Sequence, residues 1–320
     1  MDSFYYEDYE NGIYALDVQY QRPRFAACYL VVQGDQAAFI DTGTANAVPQ
    51  ALELMRRLGI APDMVKYVMP THVHLDHAGG AGRMMALFPE AQLVVHPRGA
   101  RHLIDPTRLQ ASATEVYGAQ RFGELFGTIE PVAEGRVVAI DDDYRIDLNG
   151  RELVCFDTPG HANHHYCVYD AAGEGFFTGD TFGLCYPELA DHGGSFIFAS
   201  TTPTQFDPDT WRTTLDRLME EQPRYLYVTH FGRVEERGEL AEALRRDLDA
   251  HVEIAFAAPQ EGRLAWLQQR LMEHLKERLA QRGGGYDSAM VERLLQADVA
   301  LNAQGLVAWL ERLARRGVEG

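Results

Sequence analysis

The chain has 320 residues, 46% of them apolar, and a formal net charge of -18 from 47 acidic against 29 basic residues. That length supports one large domain or a domain with an appendage, and the acidic excess excludes the basic footprint that nucleic-acid binders need. No apolar run approaches the roughly 20 residues of a membrane span, and the acidic start, Phe4-Tyr5-Tyr6-Glu7-Asp8, lacks the basic and apolar parts of a secretory signal.

Four cysteines are present, Cys28, Cys155, Cys167 and Cys185, and none forms a Cys-x-x-Cys pair. Three lie in apolar, strand-like runs, where a thiol serves as a small core residue. All four read as reduced, in a cytoplasmic protein.

In chain order, Gly12 to Val18, Ala26 to Val32 and Gln36 to Ile40 read as strands, with a Gly34-Asp35 hairpin turn between the last two. The third ends in Asp41-Thr42-Gly43. Asp41 reads equally as a turn residue or as an acceptor that orients a metal-ligating histidine, since bound imidazoles donate their other N–H to a carboxylate or carbonyl. A helix is expected over Val48 to Leu58, ended by Gly59. The apolar run Val65 to Met69 reads as a buried strand and leads into Thr71-His72-Val73-His74-Leu75-Asp76-His77-Ala78-Gly79-Gly80.

That stretch holds three imidazoles and a carboxylate in six residues, between a strand and a helix that carries Met84, Met85, Leu87 and Phe88. In an extended segment His72 and His74 point the same way, because side chains alternate with period two. Asp76 and His77 follow after the chain has turned, so they can aim at a neighbouring point, about 3.5–4 Å away in two-metal sites. Imidazole and carboxylate suit zinc, iron and similar ions.

Gln92 to Val95 reads as a further strand, giving α/β alternation. Residues 97–128 read as helix and loop without a clear period, and His96 and His102 read as structural rather than as ligands. Strands return at Arg136 to Ile140, Tyr144 to Leu148 and Glu152 to Phe156, the last two joined by an Asn149-Gly150 turn. Asp157-Thr158-Pro159-Gly160 then presents His161 at a strand end. Tyr166 to Tyr169 and Gly175 to Thr178 are strands, the second ending in Gly179-Asp180. Residues 181–207 form a long irregular segment, of the kind that is usually functional. Phe182, Tyr186, His192, Phe196 and Phe198 there either line an apolar pocket, with Tyr186 and His192 donating to a substrate oxygen, or fill space beneath the loop. Asp207-Pro208 starts a helix with Trp211, Leu215, Leu218 and Met219 on its buried face. Arg224 to Val228 is the last strand and ends in Thr229-His230-Phe231-Gly232. Ligands in α/β folds bind at the carboxyl ends of strands, where His72 to His77, His161, Asp180 and His230 all fall.

This joint pattern resembles the metallo-β-lactamase superfamily, in particular its glyoxalase-II-like hydrolase branch, over about residues 12–232. The resemblance implies an αβ/βα sandwich of two mixed sheets with outer helices. It implies His72, His74 and His161 on one metal, Asp76, His77 and His230 on a second, and Asp180 bridging both. It also favours the orienting role for Asp41. The third motif departs from the branch's usual Gly-His-Thr-x-Gly-His, reading Gly160-His161-Ala162-Asn163-His164-His165. His165 or His164 is therefore either a substrate-side group or a structural residue. The flavin-partnered oxygen reductases carry Glu where His74 stands, and the class B lactamases generally use Cys where Asp180 stands.

The expected activity is that of a dinuclear metal hydrolase acting on a small-molecule ester, thioester or lactone. A metal-bridging hydroxide is the nucleophile, and Asp76 and Asp180 anchor the metals and orient it. Zinc is the first choice, with iron or manganese the others. Two rival readings are a metal-binding effector with incidental hydrolysis and a mononuclear-iron sulfur oxygenase. Residues 1–235 make the metal domain and 236–320 a helical extension, with Leu240, Leu244, Leu248, then Leu264 to Leu279, then Val291 to Val299 at helical spacing. That extension reads as a lid or as the contact of a homodimer. A small-molecule substrate, no nucleic acid and no membrane complete the expected partners.

Overall fold

The period-two runs become strands because successive side chains of a strand point to opposite faces, so one set can face a common interior. A computed structural model describes residues 4–190, 194–201, 205–235, 237–283 and 285–318. Strands β1 (Tyr6–Asp8), β2 (Ile13–Asp17), β3 (Ala27–Gln33), β4 (Gln36–Ile40), β5 (Val65–Met69), β6 (Gln92–Val95) and β7 (Val137–Ala139) lie in that order in one sheet. Pairing is antiparallel from β1 to β4 and parallel from β4 to β7.

Parallel neighbours need crossovers. They run through α1 (Val48–Leu58), then α2 (Leu75–Ala78) with α3 (Ala81–Leu87), then α4 (Pro97–Ile104), α5 (Thr107–Tyr117) and α6 (Ala119–Phe126). Helix α1 has the expected bounds, and Gly59 ends it in the left-handed conformation at φ 71.

The second sheet holds β8 (Tyr144–Leu148), β9 (Arg151–Asp157), β10 (Tyr166–Asp170), β11 (Gly175–Gly179), β12 (Tyr225–Val228) and β13 (Gly232–Val234). Its order is β13-β12-β11-β10-β9-β8, with β11 and β12 parallel and the other pairs antiparallel. The expected two mixed sheets are therefore present. Ile13, Ala15, Tyr29, Val31, Ala38 and Ile40 of the first sheet share one core with Leu148, Leu153, Cys155, Val168 and Phe177 of the second. Each fully buried large apolar side chain contributes about 1.5–3 kcal/mol. Two tyrosines tie the sheets together with satisfied hydroxyls. Tyr29 donates to the Val228 carbonyl at 2.6 Å and Tyr166 to the Val94 carbonyl at 3.0 Å.

The chain divides into two units. Met1–Thr158, His164–Gly179 and Pro223–Glu235 form the sandwich unit, which holds both sheets. Pro159–Asn163, Asp180–Gln222 and Glu236–Gly320 form the helical unit. The division thus differs from a single cut after residue 235, because the long loop and α7 (Pro208–Glu220) group with the C-terminal helices.

Within the helical unit Asp207 caps α7 as expected, accepting from the Thr210 N–H at 3.1 Å. Trp211, Leu215 and Leu218 are buried there, while Met219 is only half-buried and Thr214 takes the buried place. Helices α8 (Arg237–Ala257), α9 (Arg263–Gln281) and α10 (Ser288–Val318) form the extension. Leu267, Leu271, Leu275 and Leu279 are buried along α9, but Leu264, in the first turn, is exposed. All four cysteines are buried. No described helix is long and apolar enough to cross a membrane.

Candidate metal centre

In the sandwich unit the ligand-type side chains gather where β5 ends. His72 and His77 are fully buried and His74 is half-buried. His72 Nε2 and His74 Nδ1 lie 2.7 Å apart, so these two imidazoles do face one side, as the extended backbone requires. The chain then turns into α2, with His74 at its N-cap and Asp76 and His77 in its first turn.

Asp41 is the hub behind them. It follows β4 with φ 57, a left-handed conformation that Asp tolerates better than most residues. Its Oδ1 accepts from the Thr71 N–H and the Thr71 hydroxyl, both at 2.8 Å. Its Oδ2 accepts from the Thr229 hydroxyl and from His77 Nδ1, both at 2.7 Å. Of the two readings of Asp41, the geometry selects the acceptor that orients a histidine.

The tautomers follow. His77 gives its Nδ1–H to Asp41, and His230 gives its Nδ1–H to the Phe25 carbonyl at 2.8 Å. Each ring therefore presents Nε2 as a lone pair, because a neutral imidazole carries one N–H. These two Nε2 atoms are 3.4 Å apart, and Asp76 Oδ2 lies 3.5 Å from one and 3.9 Å from the other. Two lone pairs and a carboxylate converging on one point repel one another unless a cation sits among them. Asp76, His77 and His230 therefore fit a divalent metal, as a mixed imidazole–carboxylate donor set should.

His165 is also fully buried in this unit. It shares a 2.8 Å hydrogen bond with the Thr158 hydroxyl, and its ring stacks on His72 with centroids 4.9 Å apart. That placement packs His165 behind a ligand-type ring, the structural reading rather than the substrate-side one. Burial, then the neighbouring His74, pushes the His164 imidazole down to about 3. Gly179 closes the group. At φ 50, a Cβ on it would stand 2.4 Å from His165 Nε2 and 2.6 Å from the Thr71 hydroxyl. His96 caps α4 by accepting from the Arg98 N–H at 3.0 Å, in keeping with a structural role.

In the helical unit the structure brings His161 and Asp180 together, Nε2 to Oδ2, at 3.4 Å. His161 donates Nδ1–H to the Ser200 carbonyl at 2.8 Å, again leaving Nε2 as the lone pair. Gly160 beside it has φ 131, and a Cβ there would stand 2.4 Å from the Trp211 Cα, so the chain lies flat against α7. Trp211 in turn donates to the Thr181 carbonyl at 2.6 Å, next to Asp180.

Sequence reasoning missed what holds Ser200. Ala199 N–H donates to Asp247 Oδ2 at 2.8 Å, and Asn302 Nδ2 donates to the Ala199 carbonyl at 2.8 Å. Thr201 N–H donates to Asn302 Oδ1 at 2.8 Å. Asp247 and Asn302 are buried, so α8 and α10 clamp the backbone that orients His161. The only advance signal was an Asp and an Asn among leucines, which amphipathic helices carry by the handful.

The remaining candidates are placed as follows. Tyr186 is fully buried, with its hydroxyl 3.1 Å from both carboxylate oxygens of Asp298. Phe182, Phe196 and Phe198 are buried too. His192 lies outside the described residues.

Two mixed sheets with a His-x-His-x-Asp-His turn at a strand end define a class of metal-binding sandwich proteins. The family model of the metallo-beta-lactamase superfamily matches residues 22–230, and the chain belongs to that superfamily. It is 25% identical over 216 residues to the metallo-beta-lactamase fold-containing protein ST1585 of Sulfurisphaera tokodaii, covering 66% of this chain and 75% of that one. The crystal structure of ST1585 superposes with a TM-score of 0.61 at 22% identity, over 92% of this chain and 98% of the other. An atrochrysone carboxyl ACP thioesterase of Passalora fulva is 24% identical over 65% of this chain and 48% of its own length. A hydroxyacylglutathione hydrolase of an Enterobacter species is 28% identical over 50% of this chain and 49% of its own. The chain thus spans about half the length of these two relatives.

Proposed function

We propose that this protein is a dinuclear metal-dependent hydrolase that cleaves an ester, thioester or lactone bond of a small molecule. The ligands are His72, His74, Asp76, His77, His161, Asp180 and His230, in the roles the family resemblance implies. The observation that carries the reading is the convergence of the His77 and His230 lone pairs on Asp76, with both tautomers set by acceptors behind the rings. A mononuclear reading leaves that convergence without a purpose.

When bound, two divalent cations supply a water of lowered pKa and polarise the carbonyl under attack. The chain's own residues do the rest. Asp41 and the Phe25 carbonyl hold His77 and His230 in the ligating tautomer, and the Ser200 carbonyl does so for His161. The Asp76 and Asp180 carboxylates accept the hydrogen of the attacking water and so orient its lone pair. Asp76 is the more open of the two, with 23% of its side chain exposed against 7% for Asp180, which suits a group facing entering substrate.

Imidazole-rich donors favour zinc, with iron and manganese as the alternatives. The thioesterase and the hydroxyacylglutathione hydrolase among the relatives support the thioester end of the range. The net charge of -18 supports a small molecule rather than a nucleic acid as substrate. We place the enzyme in the cytoplasm, off the membrane, with the C-terminal helices as the contact of a homodimer.

The test is metal analysis of the purified protein, together with hydrolysis of a panel of acyl thioesters, lactones and aryl esters. About two metals per chain and turnover on at least one of these bond types are expected. Protein loaded with two metals that leaves the whole panel intact overturns the substrate class, and one metal per chain overturns the dinuclear reading.

A further inference from the structure

The helical unit holds a cleft of ≈ 380 Å³ under the segment that starts at Gly194, within the range of small-molecule sites, about 300–1,000 Å³. Its lining reverses the character of the chain. Arg246, Arg278, Arg282 and His274 face it, and Glu277 is the single carboxylate among its described lining residues, in a protein of net charge -18.

Two of the guanidinium groups are fixed in advance. Arg278 donates to the Ile197 carbonyl at 2.8 Å and to Asp247 at 2.5 Å, with its guanidinium 4.8 Å from the Phe196 ring centre. Arg282 donates to the Gly194 and Ser195 carbonyls at 2.6 and 2.7 Å, over the same ring. Tying down the loop accounts for those bonds. It does not account for Arg246, which lies exposed on α8 with no hydrogen-bond or ion-pair partner among the described residues. Nor does it account for the open volume that these cations share. Side chains already immobilised bind a ligand without the usual entropic cost of ordering them.

We propose that this cleft binds a phosphate-bearing small molecule, with Arg246 and Arg278 as its main contacts, while Asp247 holds the His274 Nε2 at 2.7 Å. A carboxylate monoanion is satisfied by one guanidinium. Two fixed guanidinium groups and a third, exposed one around one cavity match a dianion with three acceptor oxygens, which planar guanidinium groups bind in bidentate fashion. The site uses none of the metal-ligating residues and stands whether or not the hydrolase reading holds. Phosphate at this position is either the free ion or the terminal group of a larger metabolite.

The experiment is isothermal titration of the full-length, metal-loaded protein with inorganic phosphate, with glycerol phosphate, and with acetate as a monoanion control. The Arg246→Glu and Arg246→Lys variants are titrated in parallel. Saturable binding of either phosphate probe is expected, with acetate at least about tenfold weaker, the worth of one charge-assisted hydrogen bond. Arg246→Glu should lower phosphate affinity by more than about tenfold, and Arg246→Lys by less, since a point charge replaces the fork. Tighter binding of glycerol phosphate than of inorganic phosphate identifies a metabolite as the ligand, and the reverse identifies the free ion; either supports the site. Absence of saturable binding, acetate binding as well as phosphate, or phosphate binding unchanged in Arg246→Glu overturns it. The last outcome puts the anion elsewhere, at the metals included. A thermal melt of each variant without ligand shows that it is folded.

Discussion

The sandwich unit and the helical unit hold their metal-type histidines by different means. In the sandwich unit one carboxylate does most of the holding, beside the Phe25 carbonyl that fixes His230. The Asp41 carboxylate gathers Thr71 and His77 from the stretch after β5 and Thr229 from the end of β12. In the helical unit a backbone carbonyl holds His161, and that carbonyl sits in a loop with no strand of its own. Its rigidity comes from Asp247 and Asn302, which reach it from α8 and α10. A strand end can carry a ligand directly because its position is set by the ladder. A loop can do so only after other elements have pinned it. The helical extension is therefore part of what orients His161, beyond any role as lid or subunit contact.

The largest effect should come from breaking the hub. Asp41→Ala strands three side-chain donors and one backbone N–H in a buried site, and should destabilise the protein by about 3–5 kcal/mol, as removal of one partner of a buried charged network does. Urea denaturation of the metal-free protein measures it, and a loss below about 1 kcal/mol would show that Asp41 is no hub. The matched glycines come next. Gly160→Ala drives a Cβ against the Trp211 backbone, and Gly179→Ala against the ends of two side chains. Overpacking costs about 1–3 kcal/mol. The backbone cannot yield, so Gly160→Ala should lie at the top of that range and Gly179→Ala below it. The reverse order would mean that the loop, not the strand end, is the softer support.

Asn302→Ala sharpens the comparison further. It removes the partner of the Thr201 N–H and of the Ala199 carbonyl, at about 1–3 kcal/mol for each group left unsatisfied. If the clamp positions His161, metal affinity should also fall by about 10–100-fold, as it does when a group behind a ligand is lost. A purely structural role lowers the thermal midpoint and leaves the metal dissociation constant of the folded protein unchanged.

These differences also mark where the sequence was readable. The His72 to His77 motif, helix α1 and most strands declare themselves through local pattern: period two, helical period, a terminal glycine. Strands β1 and β13, three residues each, are too short to show a period, and both were missed. Between residues 97 and 126, the stretch of α5 gave no clear period for a physical reason. Helix α5 buries none of its residues, so nothing selects an apolar stripe. Asp41 could be read both ways because its partners arrive from positions 71, 77 and 229. The clamp lay out of reach, since Asn302 meets Thr201 across about a hundred residues, and only the folded chain makes that pair visible. The arginine cleft was hidden by the acidic average of the whole chain.

The smallest expected effect separates the units by pH. His251, fully buried on α8, donates to the Asp247 carbonyl at 2.8 Å, and its Nε2 has no hydrogen-bond partner among the described residues. Burial pushes its pKa below the ordinary value of 6.5; the Asp247 carboxylate opposes that shift, while His274 and Arg278 add to it. The unfolded chain therefore takes up the proton first as the pH falls. The stability gained by keeping His251 neutral is complete above about pH 6.5, and is lost as the pH drops towards the folded pKa. Asp247 acts in the same direction at lower pH. Burial alone would raise its pKa, but His251, Arg278 and His274 outweigh that and hold it well below the usual carboxylate range. Its contribution is thus lost only below about pH 4. The urea midpoint of the wild type should fall between about pH 7.5 and 5, and the slope should be shallower in His251→Leu, which has no proton to gain. Equal slopes in the two proteins would assign that pH dependence to other histidines, and would remove His251 from the account of how the helical unit is held.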